Sequence, residues 1–143
     1  MGLFNNRVSD HEPEYPLLDV FSWSGHKIAA VEWELQKLVQ KASGPLEIVP
    51  SDHAVYVFSG KPPKKFGLVW IHEGEIKGFY GLMKEHGVAP GEIKKALDAL
   101  REAYAKYGYT EHYAATIGDR EVVVTPSVYL ANEIQGIIDG ILR

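Results

Sequence analysis

The sequence contains no cysteine among its 143 residues. The chain therefore has no disulfide, no thiolate metal ligand, no cysteine nucleophile and no thiol redox chemistry. Residues 1–7 contain neither an apolar core of signal-peptide length nor the start of a membrane span. A chain of this length that needs no disulfide is most at home in a reducing compartment. We therefore predict a soluble, cytoplasmic protein that does not enter a membrane.

The sequence also lacks an excess of positive charge, since 15 basic and 19 acidic residues give a net charge of −4. Without a broad cationic field, general binding of nucleic acid is disfavoured. A local basic group remains at Lys61, Lys64 and Lys65, which flank two stiff prolines. These lysines are candidates for contact with a phosphate or an acidic partner. The alternative is a solvated sheet edge, where lysine discourages aggregation.

The sequence lacks the short motifs that indicate a particular enzymatic reaction. The sequence has no G-x-S-x-G, no glycine-rich nucleotide loop and no H-E-x-x-H zinc signature. We therefore predict no cofactor and no dedicated metal site, and the sequence leaves open whether the protein is an enzyme.

The most informative pattern is a hairpin that is apolar on both faces. Residues 66–72 and 75–79 read as two strands joined by a Glu73-Gly74 turn. Directly opposed residues share a face. In this register one face carries Leu68, Trp70, His72, Glu75, Lys77 and Phe79, and the other carries Val69, Ile71, Ile76 and Gly78.

A sheet that is apolar on two sides needs two covers. Helices of the chain can cover one face, and we expect the other to be closed by the N-terminal segment, a second subunit, a ligand or a partner protein. The first functional hypothesis is a non-enzymatic binding or assembly module that buries Trp70, Phe79 and the neighbouring Lys77 against a protein partner, most simply a second copy in a homodimer.

Periodicity along the chain predicts the remaining elements. Apolar spacing predicts helices over 24–42, 90–107 and from Pro126 onward, and strands over 54–58, 109–117 and 120–124. Residues 59–65 are predicted to form a loop, because two adjacent prolines cannot donate ladder hydrogen bonds. The last two strands are predicted to form a hairpin that turns at Gly118-Asp119, places Ala115 and Val122 on one apolar face and is half-solvated on the other. The predicted fold is a single α+β domain over 23–143, with an antiparallel sheet of about five strands in the order α-βββ-α-ββ-α. Residues 1–22 are predicted to form an extended N-terminal arm, with disorder up to Tyr15 as the alternative.

A second functional hypothesis is a small metal-assisted or acid/base enzyme. His72 and Glu75 lie at one hairpin tip, and His112 would join them if the two hairpins lie side by side. The alternative is a cross-strand charge pair at a solvated turn. Tyr107 and Tyr109 are open candidates for binding, because tyrosine is common at interfaces. Tyr104 and Tyr113 are better explained by packing of a helix end on the sheet.

Overall fold

The structure, a computed structural model, describes residues 15–142. Its five helices and six strands occur in the following order: α1 (Trp23–Ala30), α2 (Glu32–Lys41), β1 (Leu46–Pro50), β2 (Val55–Lys61), β3 (Lys65–His72), β4 (Glu75–Gly78), α3 (Phe79–Glu85), α4 (Pro90–Tyr107), β5 (Tyr113–Ile117), β6 (Arg120–Val124) and α5 (Val128–Leu142). No helix within this part of the chain is long and apolar enough to cross a membrane.

The six strands form one mixed sheet in the order β4-β3-β2-β1-β6-β5. All neighbouring pairs are antiparallel except β1 and β6, which run parallel. The predicted α+β class is confirmed, but the purely antiparallel sheet of five strands is wrong. The additional strand is β1, which lies between β2 and β6, and its partner β6 is too distant in sequence for local patterns to indicate the pairing.

Both predicted hairpin registers are confirmed. Trp70 pairs with Lys77 and Ile71 with Ile76 in the first hairpin, while Ala115 pairs with Val122 in the second. The first hairpin therefore does present large apolar side chains on both faces, as the alternating pattern predicts.

Helices of the same chain cover both faces of the sheet. On one face Trp70, Tyr56 and Phe58 pack among buried residues of α3, α4 and α5. On the other face Ile71 and Ile48 pack in a second core with buried residues of α1 and α2. The expectation that helices of the chain cover only one face is therefore wrong, because α1 and α2, which precede β1, cover the second.

Trp70 and Phe79 are consequently not available for a partner. Trp70 is 4% exposed and Phe79 is 2% exposed, and Phe79 begins α3 rather than ending a strand. Lys77 lies on β4 near Glu75, with 3.9 Å between its Nζ and Oε1 of the glutamate. An assembly surface built on these aromatic residues is not present in the folded chain.

The helix predicted over 24–42 is two helices, separated at Val31. The backbone of Val31 has φ −121° and ψ 23°, and its N–H donates to the carbonyl of Ile28 at 3.1 Å. Ile28 and Leu35 are both buried in the same core on either side of this break. The change of direction thus lets two short helices follow one apolar face of the sheet.

Arg120 stands on the apolar face of the second hairpin, and its guanidinium explains how α2 ends there. It donates to the carbonyls of Val39, at 3.1 Å, and of Ala42 and Gly44. These are carbonyls that a helix leaves without partners at and beyond its C-terminus, where positive charge is favourable. Arg120 therefore joins α2 to β6 while satisfying polar groups beside the core.

Residues of the predicted N-terminal arm pair with the sheet where the structure describes them. Leu18 donates its N–H to the carbonyl of Ala114 at 2.8 Å, and the N–H of Ala114 donates to Pro16 at 2.9 Å. The segment thereby covers part of the free edge of β5. The prediction for residues 1–14 lies outside the described residues.

Replacing Trp70 tests whether its ring belongs to the core. We expect Trp70→Ala to lower the free energy of unfolding by about 3 to 5 kcal/mol, because it leaves a large cavity. Trp33→Ala is the matched control: Trp33 is 67% exposed, so its loss should cost about 1 kcal/mol or less. Urea denaturation measures both values. Unchanged stability of Trp70→Ala, together with a lower molecular mass by light scattering, would instead support an interface.

Candidate functional site

The sequence-predicted cluster of His72, Glu75 and His112 does not form. The hairpin of β3 and β4 lies at one edge of the sheet, whereas His112 precedes β5 at the opposite edge. Strands β2, β1 and β6 separate β3 from β5, which places them roughly 19 Å apart at about 4.8 Å per strand. No group of three or more potential metal ligands occurs within residues 15–142.

His72 has a local structural environment instead. Its ring stacks on that of His53, with centroids 4.5 Å apart, and its Nδ1 lies 2.8 Å from the carbonyl of His53. Its Nε2 lies 3.5 Å from Oε1 of Glu73 in the exposed turn. These contacts hold the β3–β4 turn against the loop before β2.

The three candidate lysines lie at the turn between β2 and β3. Lys61 and Lys65 are paired residues of the two strands, Lys64 lies in the turn, and all three are exposed. The predicted long loop is thus a hairpin turn, because the prolines occupy the positions that make no ladder hydrogen bonds. The lysines therefore form an exposed basic group at this turn.

A cavity of about 460 Å³ lies near the C-terminal end of α4. We call it the tyrosine cleft, and its lining residues are Tyr15, Glu47, Tyr104, Tyr109, Thr110, His112 and Val123. His112 and Tyr109 were candidates from the sequence. The cleft forms where the face of β5 and β6 that carries Val123 is only partly covered, as predicted for a half-solvated hairpin.

Glu47 lies at the centre of the cleft. It belongs to β1 and pairs with Phe58 of β2 and Val123 of β6. Its neighbours Leu46 and Ile48 face the α1 and α2 core, so alternation turns Glu47 toward the opposite side. Its side chain is 13% exposed. Glu47 was not among the residues proposed from the sequence, although a lone carboxylate within the apolar run of residues 46–49 is a signal for such a site.

Two hydroxyl groups donate to the Glu47 carboxylate. The Tyr104 hydroxyl donates to Oε1 at 2.7 Å, and the Thr125 hydroxyl donates to Oε2. Thr125 is fully buried, and its backbone N–H donates to the carbonyl of Ile48 on the parallel strand β1. The parallel pairing of β1 with β6 therefore places Thr125 beside Glu47, a contact that no local sequence pattern indicates.

His112 completes the polar network. Its Nδ1 lies 2.8 Å from Oγ1 of Thr125 and 4.0 Å from Oε2 of Glu47. Since the one hydroxyl proton of Thr125 is donated to Glu47, the geometry assigns a hydrogen to Nδ1 of His112, which donates to Thr125. A neutral His112 therefore keeps the lone pair on Nε2. The ring of Tyr15 packs against this imidazole with centroids 5.1 Å apart.

Gly108 sets the position of Tyr109. Its N–H donates to the carbonyl of Tyr104 at 2.7 Å, and a Cβ at this residue would lie 2.6 Å from that oxygen and 3.1 Å from the Tyr104 ring. The chain can therefore turn tightly over Tyr104 only with glycine here. The turn brings the Tyr109 ring edge-on to that of Tyr104, with centroids 5.8 Å apart. Residues 109–112 were predicted as part of a strand, but Tyr109, Thr110 and His112 line the cleft instead.

The surroundings of Tyr104 keep its hydroxyl protonated. Burial is the largest cause that raises the pKa of Tyr104, followed by the hydrogen bond to Glu47. Burial likewise raises the pKa of Tyr56, whose hydroxyl donates to Gln135. Both phenols therefore act as hydrogen-bond donors at neutral pH.

Comparison of the chain with protein-family models, with curated proteins and with solved structures found no match. The chemistry of the cleft itself must therefore indicate its function, since a fold alone does not.

The raised pKa of Tyr104 predicts a loss of stability in alkali. Folding holds the phenol proton more tightly than the unfolded chain does, so stability is complete below about pH 10 and falls as pH rises above it. Each such tyrosine contributes a slope of about 1.4 kcal/mol per pH unit. We expect Tyr104→Phe to remove one such contribution. Urea denaturation between pH 9 and about 11 measures the slope, and equal slopes for the variant and the parent would contradict the assignment.

Proposed function

We propose that the protein is a binding module and that the tyrosine cleft binds a cationic group, either an ammonium or a guanidinium. The observation that carries the proposal is that no lysine or arginine of residues 15–142 pairs with the Glu47 carboxylate. Within residues 15–142, the ion-pair partner of this carboxylate is His112 at 4.0 Å, and neither lysine nor arginine lies within that distance. A neutral His112 leaves the negative charge of Glu47 uncompensated.

A largely buried carboxylate is costly unless it is hydrogen-bonded or paired. Tyr104 and Thr125 reduce this cost by donating to its two oxygens. They do not neutralise the carboxylate. A cation entering the cleft would gain a charge-assisted hydrogen bond to a lone pair that the two hydroxyls leave unused, because a carboxylate accepts about four hydrogen bonds.

The aromatic walls favour the same ligand. Tyr15, Tyr104 and Tyr109 line the cleft, and the face of a tyrosine ring attracts a cation within about 6 Å of its centre. Such contacts contribute about 0.5 to 2 kcal/mol each, depending on how far the cation is desolvated. Together with Glu47 they provide both a charge and a set of rings for an alkylammonium or a guanidinium.

The non-enzymatic binding function predicted from the sequence is thus proposed for a different surface. The sequence hypothesis used Trp70 and Phe79, which are buried in the core. Tyr109, in contrast, is 70% exposed and lies at the mouth of the cleft. We therefore propose the same class of function, binding without catalysis, at a site in the opposite part of the sheet.

Replacing Glu47 tests the proposal. We expect n-butylammonium and n-butylguanidinium to bind measurably by isothermal titration calorimetry, with n-butanol at least about tenfold weaker because it carries no charge. Glu47→Gln should weaken ammonium binding by about tenfold or more, since a charged pair becomes a neutral one. Glu111→Gln is the matched control, because Glu111 is exposed and bonds to Tyr113. Equal binding of amine and alcohol, or unchanged binding by Glu47→Gln, would contradict the proposal.

A second candidate function is acid/base catalysis by His112, one of the residues nominated from the sequence. The network of Glu47, Thr125 and His112 favours it, because a histidine whose Nδ1 donates to a fixed acceptor presents Nε2 as a base. In this candidate Nε2 removes a proton from a ligand held in the cleft. Glu47 and Thr125 act as positioning residues that select the tautomer.

The tautomer of His112 decides whether this second candidate is possible. We expect nitrogen NMR of the neutral imidazole to show the hydrogen on Nδ1, and Thr125→Val, which removes the acceptor, to reduce that tautomer. His86 is an internal comparison, because its Nδ1 lies 3.0 Å from the carbonyl of Leu82 and does not depend on Thr125. A hydrogen on Nε2 of His112 in the parent protein would make the acid/base function wrong.

A further inference from the structure

Three tyrosines and a valine lie beside the cleft, where α4 ends and α5 begins. We call this group the tyrosine strip and define it as Tyr107, which is partly buried, together with the exposed Tyr109, Val128 and Tyr129. Tyr109 is 70% exposed, Tyr129 is 71% exposed and Val128 is 54% exposed. Large apolar side chains exposed together are typical of surfaces that contact another molecule.

The strip adjoins the cleft along the chain, and Tyr109 belongs to both. Tyr109 lines the cleft and contacts the ring of Tyr104, while Tyr107, two residues earlier, stacks on Tyr129 with centroids 5.8 Å apart and ring planes 23° apart. Two residues span at most about 7 Å of chain, so a single ligand can contact both. A free alkylammonium fills only the cleft and leaves the strip uncovered.

The strip is also held in place before any ligand arrives. The hydroxyl of Ser127 donates to the carbonyl of Tyr107 at 2.9 Å and accepts the N–H of Leu130 at 3.1 Å, which caps α5. The start of α5 is thereby fixed to the end of α4. A surface whose backbone is already held in place loses less conformational entropy on binding, which favours affinity.

From these features we infer that the cation bound in the tyrosine cleft is a lysine or arginine side chain of a partner protein, whose neighbouring residues lie across the tyrosine strip. The inference rests on the proposed cation-binding function of Glu47. Charge complementarity identifies the residue that enters the cleft, and the tyrosines provide the apolar contact area that interfaces commonly use.

Lys106 restricts the charge of the partner segment. Its Nζ lies 5.3 Å from the centre of the Tyr107 ring, so the strip already carries one positive charge. A second cationic residue of the partner placed at Tyr107 would meet a like charge. The preferred segment therefore has one basic residue flanked by uncharged residues, rather than a basic run.

Fluorescence polarisation with labelled hexapeptide pools tests the inference. The pools carry lysine, arginine or norleucine at one central position and random uncharged residues elsewhere. We expect the lysine or arginine pool to bind at least about tenfold more tightly than the norleucine pool and than n-butylammonium. A pool with three adjacent lysines should bind no more tightly than the single-lysine pool.

Variants separate the strip from the cleft. Tyr129→Ser should weaken binding of the basic pool by about tenfold and leave n-butylammonium binding unchanged, whereas Glu47→Gln should weaken both. Tyr80→Ser is the matched control, because Tyr80 is a half-exposed tyrosine on α3, outside both surfaces, and its loss should change neither. Circular dichroism melting confirms that each variant is folded.

The outcomes distinguish this inference from the proposed function. If n-butylammonium binds through Glu47 but the basic pool binds no more tightly, the partner inference is wrong and the cleft function stands. If neither probe binds, both are wrong. Sedimentation of the protein alone completes the test: a dimer that Tyr129→Ser dissociates would show that the strip binds a second copy, which would also overturn the inference.

Discussion

The need to cover both faces of one sheet governs the arrangement of this molecule. Strands β1, β2 and β3 carry large apolar side chains on both sides, such as Trp70 on one and Ile71 on the other. Burial of apolar surface is the main favourable term in folding, so neither face can remain in water. Helices α1 and α2 cover one face and α3, α4 and α5 cover the other, and every element is placed by this requirement.

The tyrosine cleft is an exception to this complete coverage of the sheet by helices. Glu47 stands in a strand whose other side chains are apolar, and alternation places its carboxylate on the α4 and α5 face. At the C-terminal end of α4 the cover is incomplete, and Tyr104, Thr125 and His112 surround the carboxylate with polar groups. The site thus combines the two features typical of ligand pockets, a few fixed polar groups and mostly aromatic walls.

Much of the local structure could be predicted from the sequence. The register of both hairpins and the bounds of α4 followed from alternation, turn residues and helical spacing. The break at Val31 could not be predicted, because no proline or glycine marks it and the shape of the sheet decides it. The last helix begins at Val128 rather than Pro126 because Ser127 caps it. Among the residues of the tyrosine cleft, His112 and Tyr109 were proposed from the sequence as functional candidates, whereas Thr125 and Tyr104 were not.

What the sequence by itself determined is the set of local preferences: which segments are strands or helices, which side chains share a face, and that two faces need cover. Only the tertiary structure decided which elements supply the covers and which distant residues meet. The pairing of β1 with β6 brings Glu47 to Thr125 across 78 positions of the chain. Periodicity acts over a few residues, whereas such a contact depends on how all the apolar faces pack at once.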